Sequence, residues 1–206
     1  MMITYLIIGI TCIVSIMAFS NHALFDKFVF SPYLVDHNKQ GYRFLSHGLL
    51  HADWPHLVIN MFVLYSFGRI VENYYVYLFN AKGEMYYGLL YIGALALSSL
   101  PSYAKHKDDI SYRAVGASGA VSAVIFASII FEPLNGLYVF PIPFPIPSII
   151  FGVLYLIYSV YMSRKNIDNI GHDAHFWGAI FGIVFTLALK PMLLNRLIET
   201  LRSAIG

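Results

Sequence analysis

Gly116-Ala117-Ser118-Gly119-Ala120-Val121-Ser122 opens an apolar run that continues through Phe131. A serine hydroxyl flanked by small residues at the head of a greasy helix is open to close approach, both by a neighbouring helix and by an extended peptide backbone. A nucleophile needs that access. Small residues in such runs also serve plain helix packing in bilayers, and the stretch taken alone favours packing. His and Asn recur at matching positions of two other apolar segments, and this shifts the reading toward chemistry.

The chain has 206 residues, 58% hydrophobic and 12% charged, with a mean hydropathy of +0.66. This is a polytopic membrane composition rather than that of a soluble domain. Six apolar segments stand out, at about 3–20, 56–78, 85–101, 116–132, 148–162 and 174–190. Most are near the length a helix needs to cross hydrocarbon. The expected fold is an all-α membrane bundle of six transmembrane helices, forming one domain over residues 1–206. The single cysteine, Cys12, has no intrachain partner, which excludes a disulfide framework. A net charge of +2 without a basic block gives no support to nucleic-acid binding.

Residues 3–20 lack a preceding basic residue and a small-x-small cleavage site, so a retained first helix is expected rather than a signal peptide. Residues 21–55 form a long connection, too apolar at Phe28, Val29, Phe30, Tyr33 and Leu34 for a solvated linker. It reads as a folded, partly membrane-embedded loop. Trp54-Pro55 then introduces the second segment, with proline suited to a helix's first turn. His56 and Asn60, four apart, share one face near its start. Arg69 and Glu72 lie toward the other end, Glu72 roughly 18 Å beyond Asn60 at a helical rise. The third segment ends near Pro101, and a charged loop leads to the serine stretch. Glu132-Pro133 stops the fourth segment. Pro141, Pro143, Pro145 and Pro147 require an extended lead-in to the fifth. In the sixth, His175, Gly178 and Gly182 share a face, and the glycines permit a close helix contact there.

If all six segments span, the second, fourth and sixth start on the same side of the membrane. His56 and Asn60, Ser118, and His175 each stand at such a start. Polar side chains inside a bilayer are costly, and their convergence at one depth marks function more readily than separate hydrogen-bond pairs.

Four motifs together resemble the rhomboid family of intramembrane serine proteases: His47-Gly48-Leu49-Leu50-His51, His56-x-x-x-Asn60, Gly116-Ala117-Ser118-Gly119, and Ala174-His175-x-x-Gly178-x-x-x-Gly182. Their order and spacing take in nearly the whole chain. The resemblance implies Ser118 as nucleophile and His175 as general base, a dyad without a catalytic carboxylate. It implies His56, Asn60 and the backbone N–H of Ser118 as oxyanion-stabilising donors. No cofactor is implied. The chain departs from the pattern at Ser122, where some relatives carry a tyrosine that packs on the base. The smaller side chain leaves open what holds the His175 ring. His172 is a rival base, expected in the loop and without the glycine spacing.

The resemblance further implies transmembrane-helix substrates that enter from the lipid bilayer and unwind near the site. Tyr42, Arg43, His47 and His51 would order the edge of a water-filled notch. The implied location is the cell membrane, plasma or bacterial inner, with the active site opening to the non-cytoplasmic side. With the N-terminus cytoplasmic, five Lys and Arg residues fall inside and eight outside, against the positive-inside rule. The oligomeric state is not fixed by the sequence. The competing class is a histidine-based metal-binding or transport protein, using His47, His51, His56, His172, His175 and Asp173.

Overall fold

All six apolar runs fold as helices. The computed structural model describes residues 2–139, 141–165 and 171–205. Among these the chain is predominantly helical: α1 (Met2–Ser20), α2 (His22–Phe28), α3 (Pro32–His37), α4 (Arg43–Ser46), α5 (Trp54–Phe79), α6 (Gly83–Ser98), α7 (Leu100–His106), α8 (Ser118–Phe131), α9 (Ser148–Lys165), α10 (His172–Leu189) and α11 (Met192–Ile205). Every residue of α8 after Ser118 is buried, as expected of a helix that is apolar all round. It makes its most extensive contact with α10 and packs also on α5 and α6, while α1 rests on α5 and α9 on α10.

Glycines set the α8–α10 distance. A methyl group at Gly178 would come within 2.0 Å of the Gly119 carbonyl oxygen, and one at Gly182 within 2.2 Å of the Ala123 carbonyl oxygen. The two backbones therefore touch, as the spacing of Gly178 and Gly182 anticipates. At the opposite end of α5, Glu72 is fully buried and accepts the Ile3 and Thr4 N–H groups at 3.0 and 3.1 Å and the Thr4 hydroxyl at 2.6 Å. An acidic group at a helix N-terminus satisfies donors that have no partner inside the helix. This side chain thus docks the start of α1.

The connection between α1 and α5 is folded, as expected. Asn21 and Ser31 cap α2 and α3 through the Leu24 and Leu34 N–H groups. Arg43 is buried and donates to the Asp26 and Val29 carbonyls at 2.9 and 2.6 Å. The Tyr42 hydroxyl donates to the Lys27 carbonyl, so both side chains tie the loop to itself.

Four details differ from the sequence reading. The third segment ends at Ser98, near Pro101 as read, but Pro101 itself lies in the first turn of a further short helix, α7, a position proline favours. His172 is the first residue of α10 rather than a loop residue, because Gly171 takes the N-cap position. The proline stretch is not only a lead-in: Gly136–Leu137 and Ile146–Pro147 pair as two antiparallel strands, although Phe140 lies outside the described residues. Residues 166–170 of the last loop also lie outside them. Finally, α11 follows Pro191 as an amphipathic helix with Leu193 buried.

Large apolar side chains cover the outside of the long helices, among them Ile13 on α1, Phe62 on α5, Ile157 on α9 and Val184 on α10. Among the described residues, α1 and α10 combine the length and apolarity needed to cross a membrane, and the equally apolar α8 has 14 residues. The polar groups of α5 and α9 dilute their hydropathy.

Because the α8–α10 contact is backbone on backbone, Gly178→Ala and Gly182→Ala should each cost about 3 kcal/mol or more by overpacking. Thermal unfolding in detergent micelles is the check, with Gly88→Ala, which meets nothing within 4 Å, as the neutral comparison.

Candidate functional site

The site begins with a helix cap. The Asp53 carboxylate accepts the His56 N–H at 2.8 Å, fixing the start of α5 and placing His56 in its first turn. Its Nδ1 accepts the Ala52 N–H at 3.4 Å. The ring proton of the neutral imidazole is then on Nε2. That nitrogen faces Gly116: a methyl group there would lie 3.0 Å from His56 Nε2 and 3.9 Å from Ser118 Oγ. Only glycine leaves this space open, and Gly116 has φ +118°, a conformation other residues rarely adopt. The gap beside the hydroxyl thus has an imidazole donor at its wall.

Asn60 is buried one turn further along. Its amide donates to the His56 carbonyl at 2.9 Å, which uses one of two N–H bonds. Ser118 is the first residue of α8, and no side chain caps that end. The opening N–H groups of a helix have no partner within it, so the Ser118 amide adds a donor and the positive end of the helix dipole.

The loop holds this arrangement from behind. The Gly116 N–H donates to the His47 carbonyl at 3.0 Å, and Phe30 and Ala114 exchange two backbone hydrogen bonds. His47 is buried, with Nε2 3.1 Å from the Ser99 hydroxyl. His51 is buried too; its Nδ1 meets Ser15 Oγ at 3.0 Å and its ring lies edge-on to His56, 4.9 Å between centroids. Burial pushes the His47 imidazole down to about 4 and that of His51 to about 3. Both are neutral near pH 7. The His47 carbonyl thus supports Gly116, and the His51 ring lies against His56.

His175 arrives on α10 at the close contact. A methyl group at Gly119 would lie 3.3 Å from the Ala174 carbonyl oxygen, so the residue beside Ser118 touches the residue beside His175. The His175 ring is flanked by Tyr155 of α9, near-parallel at 24° with centroids 6.2 Å apart, and by His172 at 5.8 Å. The Tyr155 hydroxyl is 2.7 Å from Ser122 Oγ. The position left open at Ser122 is therefore met by an aromatic ring from another helix. Tyr155 was not legible as a site residue, because Tyr158 and Tyr161 share its apolar segment. The only signal was that an inward-facing tyrosine hydroxyl needs a partner.

Among the described residues, no three His, Cys, Asp or Glu side chains form a group able to hold a metal ion. The histidine-based metal reading has no ligand set there.

Residues 38–192 match the family model described as Rhomboid domain. Similar proteins include "RHOMBOID-like protein 12, mitochondrial" of Arabidopsis thaliana, 26% identical over 78% of this chain and 50% of that protein. "Rhomboid-related protein 1" of Caenorhabditis elegans is 28% identical over 80% of this chain and 44% of its own length. "Rhomboid-like protein 11, chloroplastic" of Arabidopsis thaliana is 26% identical over 78% and 56%. The chain spans about half the length of these relatives. Two of the names carry an organelle, so the expectation of a plasma membrane finds no support among them.

The depressed histidines give stability a pH dependence. Between pH 6.5 and about 4 the unfolded chain binds protons that folded His47 refuses, so stability rises with pH across that window and is lost on acidification. Melting temperatures measured from pH 7.5 to 4 should fall steadily below 6.5; a flat profile would contradict the burial of these rings.

Proposed function

The chain belongs to the rhomboid family of integral membrane proteins, and from that membership we propose that it is an intramembrane serine endopeptidase working through Ser118 and His175. The single observation that carries the reading is the gap at Gly116, bounded by His56 Nε2 and the Ser118 hydroxyl. It is the space a scissile carbonyl oxygen requires. Donors about 2.7–3.1 Å from a developing oxyanion are the largest contributors to acyl-transfer catalysis in a site of low dielectric.

In this mechanism the Ser118 hydroxyl attacks the peptide carbonyl while neutral His175 takes its proton. The tetrahedral oxyanion is met by His56 Nε2–H, the Asn60 amide and the Ser118 N–H. His175 then returns the proton to the leaving amine, releasing one product and leaving an acyl-Ser118. A water activated by the same imidazole hydrolyses the ester and regenerates the hydroxyl.

The six helices α1, α5, α6, α8, α9 and α10 are taken as the membrane crossings, with residues 1–206 acting as one unit. A helix of 14 residues rises about 21 Å, less than the roughly 30 Å hydrocarbon core. Ser118, at its head, then sits below one membrane surface, where water must still enter for deacylation. Substrates are transmembrane segments whose small or helix-weakening residues lower the cost of exposing backbone groups in lipid. The site opens on the side of the α1–α5 loop.

Cleavage of a single-span substrate in proteoliposomes should be abolished in Ser118→Ala and His175→Ala, with expression and melting unchanged. A fluorophosphonate probe should label the wild type at Ser118, and a chelator should have no effect. Persistent activity in either variant would refute the dyad. In Gly116→Ala the added methyl fills the gap and strains the backbone, and in His56→Ala a donor is removed. Each should lower kcat about 10²- to 10³-fold, read by the same assay.

A further inference from the structure

On α8 the residues Ser118, Ser122 and Phe126 stand at i, i+4 and i+8, one face of the helix. Tyr155 of α9 lies against that face, its hydroxyl on Ser122 Oγ at 2.7 Å and its ring 5.8 Å from Phe126. A third ring, Phe151, one turn away on α9, packs on it at 5.8 Å. These contacts fix the position of the phenol. The same phenol lies near-parallel to His175, at a 24° interplanar angle and 6.2 Å, within the offset-stacked range of aromatic pairs.

We infer that Tyr155 is the positioning residue of the general base, holding the His175 ring in the plane from which it reaches Ser118, with Ser122 as the anchor that orients Tyr155. The inference rests on the dyad reading above and deepens it. An imidazole base can rotate away from its partner, and a misplacement of about 1 Å costs about 10²-fold in rate. A ring packed along its face restricts that rotation. During the reaction the same ring faces an imidazolium, and the negative face of an aromatic favours a cation. The device spans three helices: Ser122 on α8, Tyr155 on α9 and His175 on α10. The tie to Ser118 is short, because Ser122 is one turn below the nucleophile.

The test compares Tyr155→Leu, Tyr155→Phe, Ser122→Ala and the combination of Tyr155→Leu with Ser122→Tyr, all in proteoliposomes. Tyr155→Leu should lower kcat about 10- to 100-fold with KM within about twofold. It should also move the acid limb of the pH–rate profile down by about half a unit, since loss of the ring disfavours the imidazolium. Tyr155→Phe and Ser122→Ala, which keep the ring but release its hydroxyl, should lie between it and the wild type. The combined variant, which returns a ring from α8, should regain part of the lost kcat. In parallel, the rate at which diethyl pyrocarbonate modifies His175, followed by peptide mass spectrometry, should rise in Tyr155→Leu. Wild-type kcat, pH profile and modification rate in Tyr155→Leu would overturn the inference. So would a kcat that falls only in step with the melting temperature, with the acid limb unmoved. Cleavage that survives Ser118→Ala removes the protease reading instead, and the modification rate still decides whether Tyr155 holds His175.

Discussion

The contact of two backbones, Gly119 against Gly178 and Ala123 against Gly182, is the constraint on which the rest depends. Without a Cβ at either glycine, α10 settles onto α8 closely enough for Ala174 to touch Gly119. In an apolar solvent the hydrophobic effect does not press helices together, so close packing of small residues is what holds such a pair. The same contact that supplies cohesion also brings the start of α10 against the start of α8. Other helices are arranged around it: α8 is buried on all sides, and α5 and α6 fill the flanks that α10 leaves.

A second set of interactions fixes His56 and Gly116. Asp53 caps α5 and seats His56, the Ala52 N–H selects its tautomer, and the His47 carbonyl holds Gly116 in a conformation that glycine alone adopts readily. The buried rings of His47 and His51 stay neutral and serve as struts. Reaching His51 takes Ser15 from the middle of α1. The first helix therefore supports the site indirectly, and Glu72 fastens its opposite end. The long loop is thus structural support rather than a passive connection.

Much of this was legible in the residues. The six apolar runs became the six long helices within a few positions, since an apolar run of that length has few other ways to satisfy its backbone. His56 and Asn60 do share a helix face, and Gly178 and Gly182 do meet a neighbouring backbone. Other features were less readable for identifiable reasons. The period of Leu193, Leu197 and Leu201 marks α11, but Pro191 and the surrounding charges break the apolar signal. That Pro101 opens a further short helix was not readable, because proline suits both the stretch after a helix and the first turn of the next. Glu72 seemed only to mark an interface, yet its carboxylate caps a helix 68 residues away.

Local chemistry in the chain itself determined which segments are helices, where α5 begins, where a serine stands open among small residues, and which face of α10 is narrow enough for contact. These follow from spacing and side-chain size, which act within a few residues. Only the tertiary structure decided what each face meets. That the ring on His175 comes from Tyr155, rather than from Tyr158 or Tyr161 in the same apolar run, depends on how α9 is rotated against α8 and α10. That rotation is set by the sum of many weak packing contacts between residues far apart in the chain, and no single stretch of sequence encodes it.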